Sequence, residues 1–270
     1  MQLLQGQIRG QDLKYAGSWL VTMALLCLLW AVADKSSVAS LAEFIRTKLG
    51  RLDILVNNAG FAGATMDANT FRVEVTKKKA YNLFAPEAIG FKWDGIVTKT
   101  FELEKRMVEA LIPLLQSSTS PRIVNVTSIM GNLQYLPNKL AKGILSDEQN
   151  LTVERVEEVL NEYLKDFKEG SRQANGWTPF VSANIVSSAT MNAYTRILAK
   201  KYPNFCINVV CPGFVKMDIN FNNGKLTVEE GAISAMKLVM LPNGGPSGLF
   251  FIRDELTSLR TTSTTPLSSF

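Results

Sequence analysis

Apolar positions recur along this chain with two different periods. Val38, Leu41, Ile45 and Leu49 fall at helical spacing, Ser36 or Ser37 stands where a cap belongs, and Gly50 follows; the pattern predicts a helix over residues 34–50. Asp53-Ile54-Leu55-Val56-Asn57 is then a short apolar run, the mark of a strand buried on both faces. The two patterns go on alternating. Helices are predicted over 105–116, over 153–167 with Val156, Leu160, Leu164 and Phe167 as the apolar face, over 183–201 and over 229–241. Strands are predicted over 122–128, over 205–211 up to Pro212-Gly213, and over 248–252. Residues 61–100 are mixed and turn-rich and predict loop with short helices, while the Ser/Thr-rich stretch from Leu256 predicts a frayed tail.

Short apolar strands alternating with helices imply an α/β fold with a parallel sheet covered on both faces. Such sheets bind ligands beyond the carboxyl ends of their strands. The positions to inspect are therefore Asn57-Asn58-Ala59-Gly60, Ser128 to Gly131, and Pro212-Gly213.

The first 33 residues follow neither period. Tyr15 to Ala33 carry no charge, and Trp19 to Trp30 is almost wholly apolar. This length just suffices for a membrane-spanning helix, and Ala31-Val32-Ala33 resembles a small-x-small cleavage site. Against an anchor stand Gly17, Ser18 and Thr22, which dilute the run, and the weakly basic segment before it. Three readings compete: a signal or membrane anchor through residues 15–33, a filler of the core, and a start foreign to the ancestral domain. The chain divides into this atypical segment (1–33), an α/β domain (34–256) with a polar insertion at about 134–178, and a flexible tail (257–270).

Composition narrows the chemistry. Histidine is absent, which excludes Ser-His-Asp and Cys-His sites and every histidine-ligated metal. The three cysteines, Cys27, Cys206 and Cys211, show neither a disulfide framework nor a C-x-x-C knuckle, so no metal is expected and a reduced, cytoplasmic setting is. Net charge is +5, but only Lys77-Lys78-Lys79 forms a basic run, which is too little for a nucleic-acid footprint.

Asn57-Asn58-Ala59-Gly60 after a buried strand, Val124-Asn125-Val126-Thr127-Ser128 with Gly131, and Cys211-Pro212-Gly213-Phe214-Val215 resemble, in that order, the short-chain dehydrogenase/reductases. The resemblance runs from about Val32 to about Leu256. It is closest to the plant neomenthol dehydrogenase/menthone reductase and salutaridine reductase branch, relatives of monomeric carbonyl reductase. The insertion with Gly176-Trp177, Leu226 to Ala232, and Gly244 to Phe251 carry that finer match. The resemblance implies a Rossmann-like doubly wound sheet, a monomer, NADP(H) as cofactor and a small lipophilic carbonyl compound, terpenoid- or alkaloid-like, as substrate. It implies that Asn57, Ala59 and Gly60 line the adenosine side of the cofactor, with Val126 on the neighbouring strand. Pro212, Gly213, Val215 and Met217 would lie near the nicotinamide, and Ser128 would hydrogen-bond the substrate carbonyl.

This sequence departs from the family pattern where the chemistry resides. The Gly-rich first turn that holds the pyrophosphate has no counterpart, nor has the strand before it, which counts against cofactor binding. Ala31 stands at the position of the Asp near the adenine. The catalytic Tyr-x-x-x-Lys reads Asn184-Ile185-Val186-Ser187-Ser188, with Asn184 at the tyrosine position and Ser188 at the lysine position. Thr98 to Glu104 runs directly into Lys105-Arg106-Met107, and the catalytic Asn falls in the segment skipped there. Met217 replaces a Thr. Of four catalytic residues only Ser128 is retained. The expectation is a carbonyl reductase by descent, inactive or impaired in reduction; the alternatives are a non-catalytic ligand-binding pseudoenzyme and a membrane-tethered form.

Overall fold

The computed structural model describes residues 34–58, 96–178, 182–220 and 222–257. Helix α1 (Lys35–Lys48) buries Val38, Leu41 and Ile45, the stripe set by the sequence period. Its cap is Asp34 rather than a serine. The Asp34 carboxylate accepts the Ser36 hydroxyl at 2.5 Å and the Ser37 amide at 2.8 Å, and these bonds hold its pKa down at about 2. Strand β1 (Ile54–Asn57) follows after a five-residue connection.

Helix α2 (Ile96–Gln116) begins well before the predicted Lys105. Phe101, Glu104, Val108, Leu111 and Leu115 step by three and four residues, and all five are buried. One stripe thus runs through the point where the sequence suggested a break. Strand β2 (Arg122–Val126) is shorter than predicted: the Thr127 amide still donates to Val210 O at 2.8 Å, but Ser128 already caps a 3-10 turn over Ile129–Gly131. The polar insertion is ordered around helices α3 (Lys139–Ser146) and α4 (Val153–Lys168).

The buried face of α4 is Val156, Val159, Leu160, Tyr163 and Asp166; the predicted Val156 and Leu160 lie on it, while Leu164 and Phe167 are half-buried at its margin. Two polar anchors set this face. The Tyr163 ring meets Trp177 edge-on at 5.2 Å while its hydroxyl shares a hydrogen bond with Ser182 at 2.8 Å. Asp166 accepts from Trp177 Nε1 at 2.7 Å and from Asn175 Nδ2 at 2.6 Å.

Helix α5 (Ser182–Lys201) is buried almost all round: of residues 182–195 only Asn184 is exposed. Its Ser, Ala and Thr positions allow neighbours to approach closely, which is why no apolar stripe stands out in its sequence. Strand β3 (Cys206–Cys211), helix α6 (Val228–Val239), strand β4 (Phe250–Ile252) and strand β5 (Glu255–Thr257) complete the described chain. The sheet order is β1-β2-β3-β4-β5, parallel through β4, with β5 turning back antiparallel. Leu256 and Thr257, read from sequence as the start of a frayed tail, therefore pair with Phe251 and Phe250.

One large core joins α1, α2, α4 and α5 on one face of the sheet. On the other, Leu238 and Val239 of α6 pack on Val124 and Val210. This is the Rossmann-like arrangement expected. The expectations for residues 1–33, and for most of the 61–100 loop, lie outside the described residues. Among the described residues, no helix is long and apolar enough to cross a membrane.

Candidate active site

The parallel register brings the carboxyl ends of β1, β2 and β3 side by side, with Asn57 opposite Asn125 and Val126 opposite Val210. Asn57 is half-buried and donates from Nδ2 to Asn125 Oδ1 at 2.9 Å. Asn125, wholly buried, passes the bond on to Thr195 Oγ1 at 2.9 Å, so the strand ends are tied to α5. Ala59 and Gly60 lie outside the described residues. Val126 is half-buried against the α6 cluster.

Ser128 caps the 3-10 turn, its Oγ accepting the Met130 amide at 3.2 Å. The turn lies directly on α5. A Cβ at Gly131 would come within 2.9 Å of the Ser188 carbonyl carbon and oxygen and within 2.6 Å of Asn192 Nδ2. Only glycine permits that contact. Asn192 clasps the turn from both ends, accepting from Thr127 Oγ1 at 3.0 Å and donating to Gly131 O at 3.1 Å. The geometry therefore unites the Ser128 turn with the segment carrying Asn184 and Ser188. Asn184 is exposed and Ser188 is 5% exposed one turn further on. Asn192 was missed in the sequence, although it lies four residues after Ser188 and so one turn along the same helix.

The third strand end turns at Gly213, whose φ of 88° suits glycine, and Pro212 and Gly213 are half-buried. Val215 is buried against Gly231 of α6 and bridges to Leu226. Met217 is half-buried, its amide donating to Asn220 Oδ1 at 3.1 Å. Arg253, not singled out in the sequence, lies beside this loop, with its Cδ 3.7 Å from a Cβ built at Gly213.

The hydroxyls of Ser128 and Ser188 and the carboxamide of Asn184 make a neutral donor set with no acid that titrates near neutral pH. Tyr194, further along α5, does not take over. Its ring is buried edge-on to Phe101 at 5.4 Å, and burial, with the Glu104 and Glu109 charges, pushes its hydroxyl well above the usual phenol range. Glu104 itself is buried at 4% exposure, has no hydrogen-bond partner for either oxygen among the described residues, and is pushed up to about 8 by burial. Among the described residues at these strand ends, Ser128, Asn184, Ser188 and Tyr194 offer no group suited to deliver a proton near neutral pH.

No family model matches the chain. Individual relatives do. It is 51% identical over 238 residues to (+)-neomenthol dehydrogenase of Arabidopsis thaliana, covering 84% of this chain and 77% of that one. It is 46% identical over 237 residues to short-chain dehydrogenase/reductase 1 of Saponaria officinalis, covering 84% and 76%. The solved structure of salutaridine reductase from Papaver somniferum superposes with a TM-score of 0.75 at 42% identity, covering 83% of this chain and 80% of that one. With this fold, these strand-end motifs and these relatives, the chain belongs to the short-chain dehydrogenase/reductase family.

Proposed function

We propose that this chain is, by descent, an NADP(H)-dependent reductase of ketones in small lipophilic terpenoid- or alkaloid-like compounds, and that it has lost most of its capacity for the reduction. The observation that supports the reading is the neutral stretch of α5 beside the Ser128 turn, with Asn184 exposed and Ser188 buried, which the resemblance aligns with the family's proton donor and its cationic partner. The relatives' names, neomenthol dehydrogenase and salutaridine reductase, support the substrate class.

What the residues can still do follows from their chemistry. Ser128 presents a hydroxyl that can hydrogen-bond a carbonyl oxygen, and Asn192 fixes the turn on which it sits. Asn184 can donate a hydrogen bond but cannot give up a proton to an alkoxide near neutral pH. Loss of a general acid lowers rates by roughly 10²–10⁴-fold. Loss of a cation at position 188 removes a charge-assisted hydrogen bond and so weakens ribose binding. Asn57, Val126, Pro212, Gly213, Val215 and Met217 remain the cofactor-side candidates, and Ala59 and Gly60 complete that set in the sequence.

The test is NADPH binding by the purified chain, followed by calorimetry and thermal shift. A ligand that binds only the folded state raises its stability by mass action. No shift at micromolar NADPH in a cooperatively unfolding chain is the expected result, and a clear shift overturns the cofactor half of the reading. The double variant Asn184→Tyr, Ser188→Lys is expected to remain inactive, because the phosphate-binding loop has no counterpart in the sequence. A second reading, a carrier that binds the lipophilic compound without reducing it, is favoured by the retained Ser128 turn, and ligand binding without NADPH would support it.

A further inference from the structure

We infer that Asn243 is a modification site: its side-chain amide is set up to deamidate without an enzyme, and the carboxylate so formed is the missing counter-ion of Arg122. The site lies at the amino ends of β2 and β3, the opposite end of these strands from the candidate active site. Arg122 opens β2 beside Cys206 and is 8% exposed. Among the described residues it makes no ion pair, and its Nη1 is buried without a hydrogen-bond partner. A buried guanidinium with no acid beside it is costly. Because Nη1 is shut off from solvent, the acid has to arise on a neighbour already in contact. Arg122 Nη2 donates to Asn243 Oδ1 at 2.8 Å and to Ser120 Oγ at 3.1 Å, and Ser120 Oγ donates to the same Asn243 oxygen.

Asn243 is exposed, and glycine follows it. Pro242 to Gly245 form a turn: the Gly245 amide donates to Pro242 O at 3.0 Å, and Gly244 has a φ of 74°, as the third residue of a type II turn requires. Among the described residues the Gly244 amide makes no backbone hydrogen bond, and a Cβ built there meets nothing within 4 Å. Its nitrogen can therefore swing toward the preceding side chain. In the reaction that nitrogen attacks Asn243 Cγ. The N–Cγ bond forms, the amide proton passes to solvent, the Cγ–Nδ2 bond breaks and Nδ2 departs as ammonia. Water then opens the five-membered imide at either carbonyl and leaves a carboxylate, as aspartate or isoaspartate. Water is consumed, ammonia is released, and nothing is oxidised or reduced. During the attack charge builds on Oδ1, where Arg122 and Ser120 donate, and donors so placed stabilise an oxyanion. In the Asn-Gly pairs at 175 and 223 it is instead Nδ2, the leaving nitrogen, that is held: Asn175 donates to Asp166 Oδ1 and Asn223 to Asn220 O.

The test is peptide mapping by mass spectrometry of the folded full chain during incubation in mildly alkaline buffer, with Asn175 and Asn223 as internal references. Asn243 is expected to convert first. Ser120→Ala and Arg122→Gln each remove one donor to Oδ1 and should slow the conversion at least about tenfold. Ser120→Ala lies outside the strand and keeps the test usable if the Arg122 variant unfolds. Asn243→Asp should raise the urea midpoint above that of the parent chain, and the gain should vanish when Arg122→Gln is added. Conversion of Asn175 or Asn223 ahead of Asn243, or an unchanged rate in Ser120→Ala, overturns the self-catalysed deamidation. A midpoint in Asn243→Asp no higher than the parent's overturns the pairing with Arg122.

Discussion

Replacing Glu104 by glutamine should flatten the pH dependence of stability between pH 5 and pH 8. The carboxyl is 4% exposed, in line with Phe101, Val108, Leu111 and Leu115, and neither oxygen has a hydrogen-bond partner among the described residues. Burial alone raises its pKa from 4.5 to about 8. In that interval the folded state holds the proton and the unfolded state releases it, so stability falls as pH rises and levels off above about 8. Each pKa unit corresponds to about 1.4 kcal/mol, so the span from 4.5 to about 8 is worth about 5 kcal/mol, of which about 3 kcal/mol is already lost at pH 7. Urea unfolding at pH 5.5, 7 and 8.5 reads this directly, as the difference between the parent chain and Glu104→Gln. Glu104→Leu should raise the midpoint further, since it restores the apolar stripe. Equal stability of the parent at pH 5.5 and 8.5, or the same slope in the glutamine variant, would show that the carboxyl is neither buried nor unpaired.

Other substitutions report on the remaining parts of the structure. Gly131→Ala should destabilise by about 1–3 kcal/mol in denaturant unfolding, because its Cβ meets the Ser188 backbone, which cannot turn aside as a side chain can. Asp166→Ala leaves the buried Trp177 indole and the Asn175 amide without their acceptor and should cost about 2–3 kcal/mol. Burial raises the Asp166 pKa, but the bonds from Trp177, Asn175 and Ser171 outweigh it and hold the carboxyl below its ordinary value. Its contribution is therefore present above the unfolded pKa and is lost as pH falls through the lowered folded one; Asp166→Asn should remove this acid sensitivity, as followed by near-UV circular dichroism. Thr227→Ala breaks the capping box with Glu230 and should cost about 1 kcal/mol by thermal unfolding.

Much of the sheet was legible because its central strands are short, continuous apolar runs and its helices carry periodic apolar stripes. β1, β3, α1 and α4 fall within a residue or two of their sequence boundaries for that reason. The misses have particular causes. Asp34 was passed over as a cap because two serines beside it compete for the part, and they prove to be donors to it. The first turns of α2 were hidden because a glutamate occupies a core position, and a charged residue interrupts any apolar count. The α4 face includes the expected Val156 and Leu160 but is centred nearer Tyr163 and Asp166, which are held inside by partners remote in sequence, Ser182 and Trp177. At the site, motif register singles out Ser128, Asn184 and Ser188 as candidates, while the Asn192 clasp depends on tertiary contact between α5 and the 3-10 turn.

The most direct test of the lost chemistry is the rate of NADPH consumption by the purified full chain with menthone, measured beside the Arabidopsis neomenthol dehydrogenase under the same conditions. With only Ser128 left of the proton-delivering set, the chain should be slower by at least about 100-fold at saturating ketone. A rate within tenfold of the relative would contradict the reading and would require a proton donor other than Asn184, Ser188 and Tyr194.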